Sequence, residues 1–156
     1  MVGRRQTNGH LVKKVAEVYD WLDSQTLLRQ SASQRRVESH RNLAGRCEAC
    51  GKCCDFESFD HKLFITPPEL MYLIANLRGE NVKLMKTSLC PYNVDGRCTI
   101  YEYRFAGCRI FCCNGNADFQ NGLSESALEK FKSLCNKYKI EYRYSELATA
   151  LNSFEC

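Results

Sequence analysis

Apolar positions follow two rhythms along this chain, and those rhythms mark out its elements. Leu11, Val15, Val18 and Leu22 recur at intervals of three and four, which places them on one face of a helix. An amphipathic helix is therefore predicted over residues 9–30, and a second, more polar one over residues 33–44. Residues 62–66 read as a short strand. Thr66-Pro67-Pro68-Glu69 then precedes an apolar run. Thr66 can cap a helix, Pro67 suits its first turn, and the Glu69 side chain can return to the Thr66 amide. That helix is expected from Pro67 to Leu77, with Leu70, Leu73, Ile74 and Leu77 buried and Arg78-Gly79 ending it.

"CPYNVDGRCTIY" predicts a tight turn at Asp95-Gly96 between two short extended pieces. "YEYRFAGCRIFCC" predicts a turn of helix leading into a cysteine-bearing loop. Ser126 and Glu129 have capping-box spacing, and Leu128, Phe131, Leu134 and Cys135 continue at helical spacing, so a helix is expected to begin there. Ile140 to Tyr144 alternates as a strand does, and Ser145 can cap a last short helix through Leu151. The expected fold class is α+β: a small, cysteine-rich, metal-stabilised domain with irregular loops, flanked by N- and C-terminal helices. It divides into a basic helical extension over 1–46, a cysteine-cluster domain over 47–123, and a helix–strand–helix part over 124–156 packing on the same domain.

Composition narrows the class. A length of 156 residues suits one compact domain, and 44% hydrophobic residues exclude a disordered tail. No apolar run reaches the roughly 18 residues of a membrane span. No apolar h-region follows Arg4-Arg5, so the expectation is no secretory leader and a cytoplasmic location, where thiols stay reduced. The net charge is +4, and residues 1–46, with nine Lys/Arg against four Asp/Glu, hold more than that excess. The basic helix either packs on the domain or serves as a docking arm for a protein partner. Nucleic acid is the weaker reading of this charge. Tyr92, Tyr101, Tyr103 and Phe105 are read as packing residues rather than a stacking platform for bases.

The cysteines change the picture most. There are eleven, and nine lie between Cys47 and Cys113. An odd count without an export signal argues against a disulfide framework. The adjacent pairs Cys53-Cys54 and Cys112-Cys113 argue against it too, because neighbours bridge only with strain. Cys47-x2-Cys50-x2-Cys53 is the spacing of a metal-binding loop, in which each thiolate reaches one face and backbone N–H groups turn toward sulfur. Three such ligands in a row, with a later Cys90-Pro91, point to iron–sulfur chemistry. Adjacent thiolates are expected to diverge, so Cys54 is read as facing a second site with Cys98, Cys108 and either Cys112 or Cys113. The competing reading of Cys54 is a buried apolar residue. Cys135 is read as core, and no role is assigned to Cys156. His10, His40 and His61 are read as surface or core residues. A thioredoxin-like dithiol would leave the other cysteines unexplained. There is no P-loop, GxSxG or HExxH motif, so no catalytic motif stands outside the cluster.

"CEACGKCC", "CPYNVDGRCTIYEYR" and "CRIFCC", in that order, resemble the zinc- or iron-chelating domain family named for its CxxCxxCC signature. The resemblance covers residues 47–113. Carried over, the family's eight cysteines fall on Cys47, Cys50, Cys53, Cys54, Cys90, Cys98, Cys108 and Cys113 as metal ligands. Two positions depart from the pattern. Phe105 follows Arg104 where the family has proline, and Cys112 replaces the proline of "FPC", so Cys112 competes with Cys113. Eight thiolates around two Zn²⁺ ions would bring the net charge of +4 to about zero, with Arg46, Lys52, Arg97 and Arg109 close in sequence. The expected role is an iron–sulfur protein of 4Fe-4S type, with Cys47, Cys50, Cys53 and Cys90 around the cluster. It would transfer electrons, sense redox state or support a partner enzyme. The alternatives are a structural zinc module, and an enzyme or metal carrier with an open coordination position.

Overall fold

The computed structural model describes residues 2–26, 50–79 and 81–153, in an α+β arrangement. Helix α1 (Val2–Thr26) contains the first predicted segment as far as Thr26. The helix expected over 33–44, together with His40, Arg46, Cys47 and Cys156, lies outside the described residues. Strand β1 (Phe64–Ile65) leads into helix α2 (Pro67–Asn76). β2 (Asn93–Val94) and β3 (Arg97–Cys98) form a hairpin. Helix α3 (Ala106–Ile110) is the expected turn of helix; it carries Cys108 and leads into the loop with Cys112 and Cys113. Helix α4 (Ala117–Tyr138), strand β4 (Ser145–Glu146) and helix α5 (Leu147–Asn152) complete the order.

Two apolar clusters divide the interior. In the first, Leu11, Val15, Val18, Tyr19 and Leu22 of α1 meet Ala106 and Ile110 of α3 and Leu123, Ala127, Phe131 and Leu134 of α4. The predicted stripe of α1 is thus its buried face, with Tyr19 added to it. The helix packs on the domain, as the first of the two readings had it. In the second cluster, Ile65, Leu73, Tyr92, Ile100 and Phe105 meet Leu147 and Leu151 of α5. Of the four residues assigned to the inner face of α2, Leu73 is fully buried, while Leu70, Ile74 and Leu77 are half-buried.

The start of α2 follows its local code. Thr66 and Glu69 make the capping box, and Arg78 and Gly79 end the helix with left-handed backbone. Glu69 then does more than cap. It is 2% exposed. One carboxylate oxygen accepts the Thr66 N–H and hydroxyl, each at 2.8 Å, and the other accepts the Ala106 N–H at 2.8 Å. One carboxylate therefore binds the first turns of α2 and α3 together across the core. The Tyr19 hydroxyl of α1 stands beside the same carboxylate, without a hydrogen bond of good geometry.

The C-terminal part differs from its sequence reading in two places. α4 begins at Ala117, nine residues before Ser126. Its cap is Asn116, whose side chain accepts the Phe119 N–H at 2.9 Å. Ser126 instead lies within the helix and donates to the Gly122 carbonyl. Residues 140–144 form no strand, and the strand is the next two residues. Phe64 pairs with Glu146 and Ile65 with Ser145, antiparallel. Glu146, not Ser145, occupies the cap position of α5, and it makes no side-chain cap bond.

Glu69→Ala strands donors of Thr66 and Ala106 in the core. At about 1–3 kcal/mol for each buried unsatisfied group, its unfolding free energy in urea is expected to fall by several kcal/mol. Burial also raises the Glu69 pKa above its ordinary 4.5, so the folded chain binds this proton more tightly than the unfolded chain does. That contribution is complete below 4.5 and is lost as pH rises through the raised value. Urea titrations across this range are expected to show wild type losing stability relative to Glu69→Gln as pH increases, and a flat difference would contradict the assignment.

Candidate metal centre

The cysteine motif is built on a turn. Gly51 takes left-handed backbone at φ 70 and caps a short 3-10 turn, Lys52–Cys54. A side chain at Gly51 has no room: a Cβ there would lie 2.3 Å from the Gly96 carbonyl oxygen. The hairpin turn at Asp95-Gly96, with both residues at positive φ, therefore sits directly against the cysteine turn. The Asn93 side chain adds a 3.0 Å hydrogen bond to the Gly51 carbonyl. Beyond the 3-10 turn, Cys90 N–H donates to the Cys54 carbonyl at 2.8 Å and Phe56 N–H to the Ser88 carbonyl at 3.1 Å, flanking an antiparallel bridge between Asp55 and Leu89.

These contacts draw five of the predicted ligands into one neighbourhood: Cys53, Cys54, Cys90, Cys98 and Cys108. Cys90 is buried and the other four are partly buried, and Cys54, Cys90, Cys98 and Cys108 pack in or against the second apolar cluster. The Cys54 thiol stands near enough to both Cys53 and Cys90 for their titrations to be coupled. Cys53 and Cys54 both lie in the 3-10 turn.

The neighbouring Cys54 thiol holds the Cys53 pKa far above the ordinary thiol range, and burial adds to this. Cys53 favours the Cys54 thiolate, but Cys90 and burial outweigh that gain and push Cys54 up to about 11. Cys90 is the one thiol of the five held below its ordinary value. Cys54 and the Tyr92 N–H favour its thiolate, against the opposing effect of burial. Burial raises Cys98, which accepts the Ile100 N–H, and raises Cys108 strongly. Cys108 keeps some exposed surface as a residue.

The remaining candidates stand differently. Cys50 and Cys113 are exposed. Cys112 is buried, with its thiol on the Asn114 side chain at 2.9 Å and its backbone bonded to the Gln120 amide. Cys135 is fully buried in the first cluster, as core. His10 meets the Tyr138 hydroxyl. His61 reaches the Cys53 carbonyl at 2.8 Å and stacks on Phe111, with ring centroids 5.3 Å apart.

The cation beside the thiols is Arg104, whose charge favours the thiolate forms of Cys53, Cys98 and Cys108. Its guanidinium stacks on Tyr101 at 4.0 Å. Sequence proximity had pointed to Arg109, which is engaged elsewhere. Arg109 pairs with Asp23 at 2.6 Å, donates to the Glu102 and Arg104 carbonyls, and lies over the Tyr19 ring. Lys52 and Arg97 are exposed. Arg104 and Arg109, with Tyr19, Asp23 and Tyr72, also line a cavity of about 300 Å³.

The donor set suits a soft metal in two respects. It is all thiol, and two of its sulfurs receive backbone N–H groups, as metal-bound thiolates do. Among the described residues, however, no three His, Cys, Asp or Glu side chains are arranged to hold a metal ion. The five thiols form a neighbourhood rather than a closed coordination sphere.

Gly51→Ala puts a side chain both into left-handed backbone and into the Gly96 carbonyl. The backbone term alone is worth about 1–3 kcal/mol. Chemical denaturation is expected to show a loss at least that large, whereas Gly79→Ala, which has the same sign of φ and open space around it, is expected to lose only the backbone part.

No family model matches the chain, and comparison with curated proteins and with solved structures found no match. The resemblance to the CxxCxxCC family therefore rests on the order and spacing of the cysteine motifs.

Proposed function

We propose that this protein binds a metal centre through cysteine thiolates, and that the centre is an iron–sulfur cluster of 4Fe-4S type. The supporting observation is the convergence of five thiols from four separate stretches of chain. Close thiol neighbours raise Cys53 and Cys54, and burial raises Cys98 and Cys108, an arrangement that a bound cation relieves. A 4Fe-4S cluster takes four thiolates: Cys53 and Cys90, with Cys47 and Cys50, would hold it, and Cys54, Cys98, Cys108 and Cys113 complete the ligand pattern that the resemblance implies. When bound, the cluster would supply one-electron redox chemistry, suited to electron transfer, redox sensing or support of a partner enzyme.

The chain's own contribution is positioning and charge. The Tyr92 and Ile100 amides hydrogen-bond sulfur, a contact that stabilises negative charge there. Arg104 offsets part of the remaining charge. The apolar residues of the second cluster limit water around the thiols and lower the local dielectric.

The test is elemental analysis and an absorption spectrum of the full chain purified without oxygen. About four irons per chain with matching sulfide, and broad thiolate-to-iron absorption, are expected. Cys90→Ala is expected to lose the metal, and Cys135→Ala to keep it. One or two zinc ions without colour would replace this reading with a structural zinc module. Absence of stoichiometric metal after mild reducing purification would remove both.

A further inference from the structure

Cys54 and Cys90 stand in a relation that metal binding does not require. An isolated antiparallel bridge pairs Asp55 with Leu89, and Cys54 and Cys90 are the residues next to that bridge on the two strands. The 2.8 Å bond from the Cys90 N–H to the Cys54 carbonyl fixes that register. Residues opposed across antiparallel chains have Cα atoms about 4.5–5.5 Å apart, within the range that a disulfide spans. The other near pair, Cys53 and Cys54, is adjacent in sequence and bridges only with strain.

We propose that Cys54 and Cys90 are a site of reversible oxidation, closing to an intramolecular disulfide by exchange with a low-molecular-weight disulfide such as oxidised glutathione. The order of steps follows from exposure. Cys54 keeps accessible surface, while Cys90 is 8% exposed. The Cys54 thiol loses its proton and attacks one glutathione sulfur. A Cys54–glutathione bond forms, and the first glutathione leaves as a thiolate that takes up a proton. The Cys90 thiol then attacks the Cys54 sulfur, the Cys54–Cys90 bond forms, and the second glutathione leaves as a thiol. Two protein thiols are oxidised and one glutathione disulfide is reduced to two thiols. The bridge closes the chain from Cys54 to Cys90 around α2 and withdraws two sulfurs from any metal.

This inference does not depend on which metal is bound, or on whether one is. The full chain is treated with chelator under reducing conditions, desalted, exposed to oxidised glutathione, alkylated and digested for peptide mass mapping. The expected product is a cross-linked peptide pair containing Cys54 and Cys90, with loss of both free thiols. In Cys90→Ser, Cys54 is expected to accumulate as the mixed disulfide. In Cys54→Ser, Cys90 is expected to stay a free thiol. A dominant bridge between any other pair, or Cys54 and Cys90 both recovered as alkylated thiols, overturns the proposal. Metal content, measured separately before chelation, tests the metal reading, so failure of one is distinguishable from failure of the other.

Discussion

A single buried carboxylate organises this fold. Glu69 reaches the first turns of α2 and α3, and the hydroxyl-bearing end of Tyr19 from α1 stands next to it. Helix N-termini carry partial positive charge, so two of them converging on one acceptor substitute for a cation partner. The desolvation that raises the Glu69 pKa is the cost of this arrangement. In return, α3 is held at a fixed place relative to α2, and α3 carries Cys108 into the thiol neighbourhood.

The thiols in turn belong to the interior rather than to a surface loop. Cys90 is counted among the buried residues of the second cluster, and Cys54, Cys98 and Cys108 pack against it. In a domain of this size each buried group matters, and a thiol packs as a small apolar side chain until it ionises. Packing and metal chemistry therefore make competing demands on these sulfurs: apolar surroundings favour neutral thiols, whereas a metal calls for thiolates. The amide donors of Tyr92 and Ile100 and the charge of Arg104 are the features that favour the second state.

What the sequence revealed was local. The Thr66–Glu69 box, the Asp95-Gly96 turn, the stripe of α1 and the cysteine spacing are all encoded within a few residues. The bond from Glu69 to Ala106 spans 37 positions and has no local signature. α4 was misplaced because its first turns, ADFQNG, are polar and contain a glycine, while a second capping pattern occurs further in. The alternation at 140–144 lacked what makes a strand, which is a partner, and β1 reaches only Ser145 and Glu146. At the centre, spacing singled out the cysteines but not their common neighbourhood. Arg104 was passed over for Arg109 because closeness in sequence does not say which way a long side chain turns. The aromatic Tyr101 three residues before it was the available sign.

The engagement of Arg109 bears on how the N-terminal helix meets other molecules. Its side chain is 7% exposed, and its ionic partner, Asp23, belongs to α1. Lifting α1 away would break that ion pair and the stacking of Arg109 on Tyr19, and would bare the stripe from Leu11 to Leu22 as well. The inner side of this helix is committed to its own domain. Any recognition through α1 must read its outward residues, such as Lys13, Glu17 and Asp20, as a charged relief on a fixed rod.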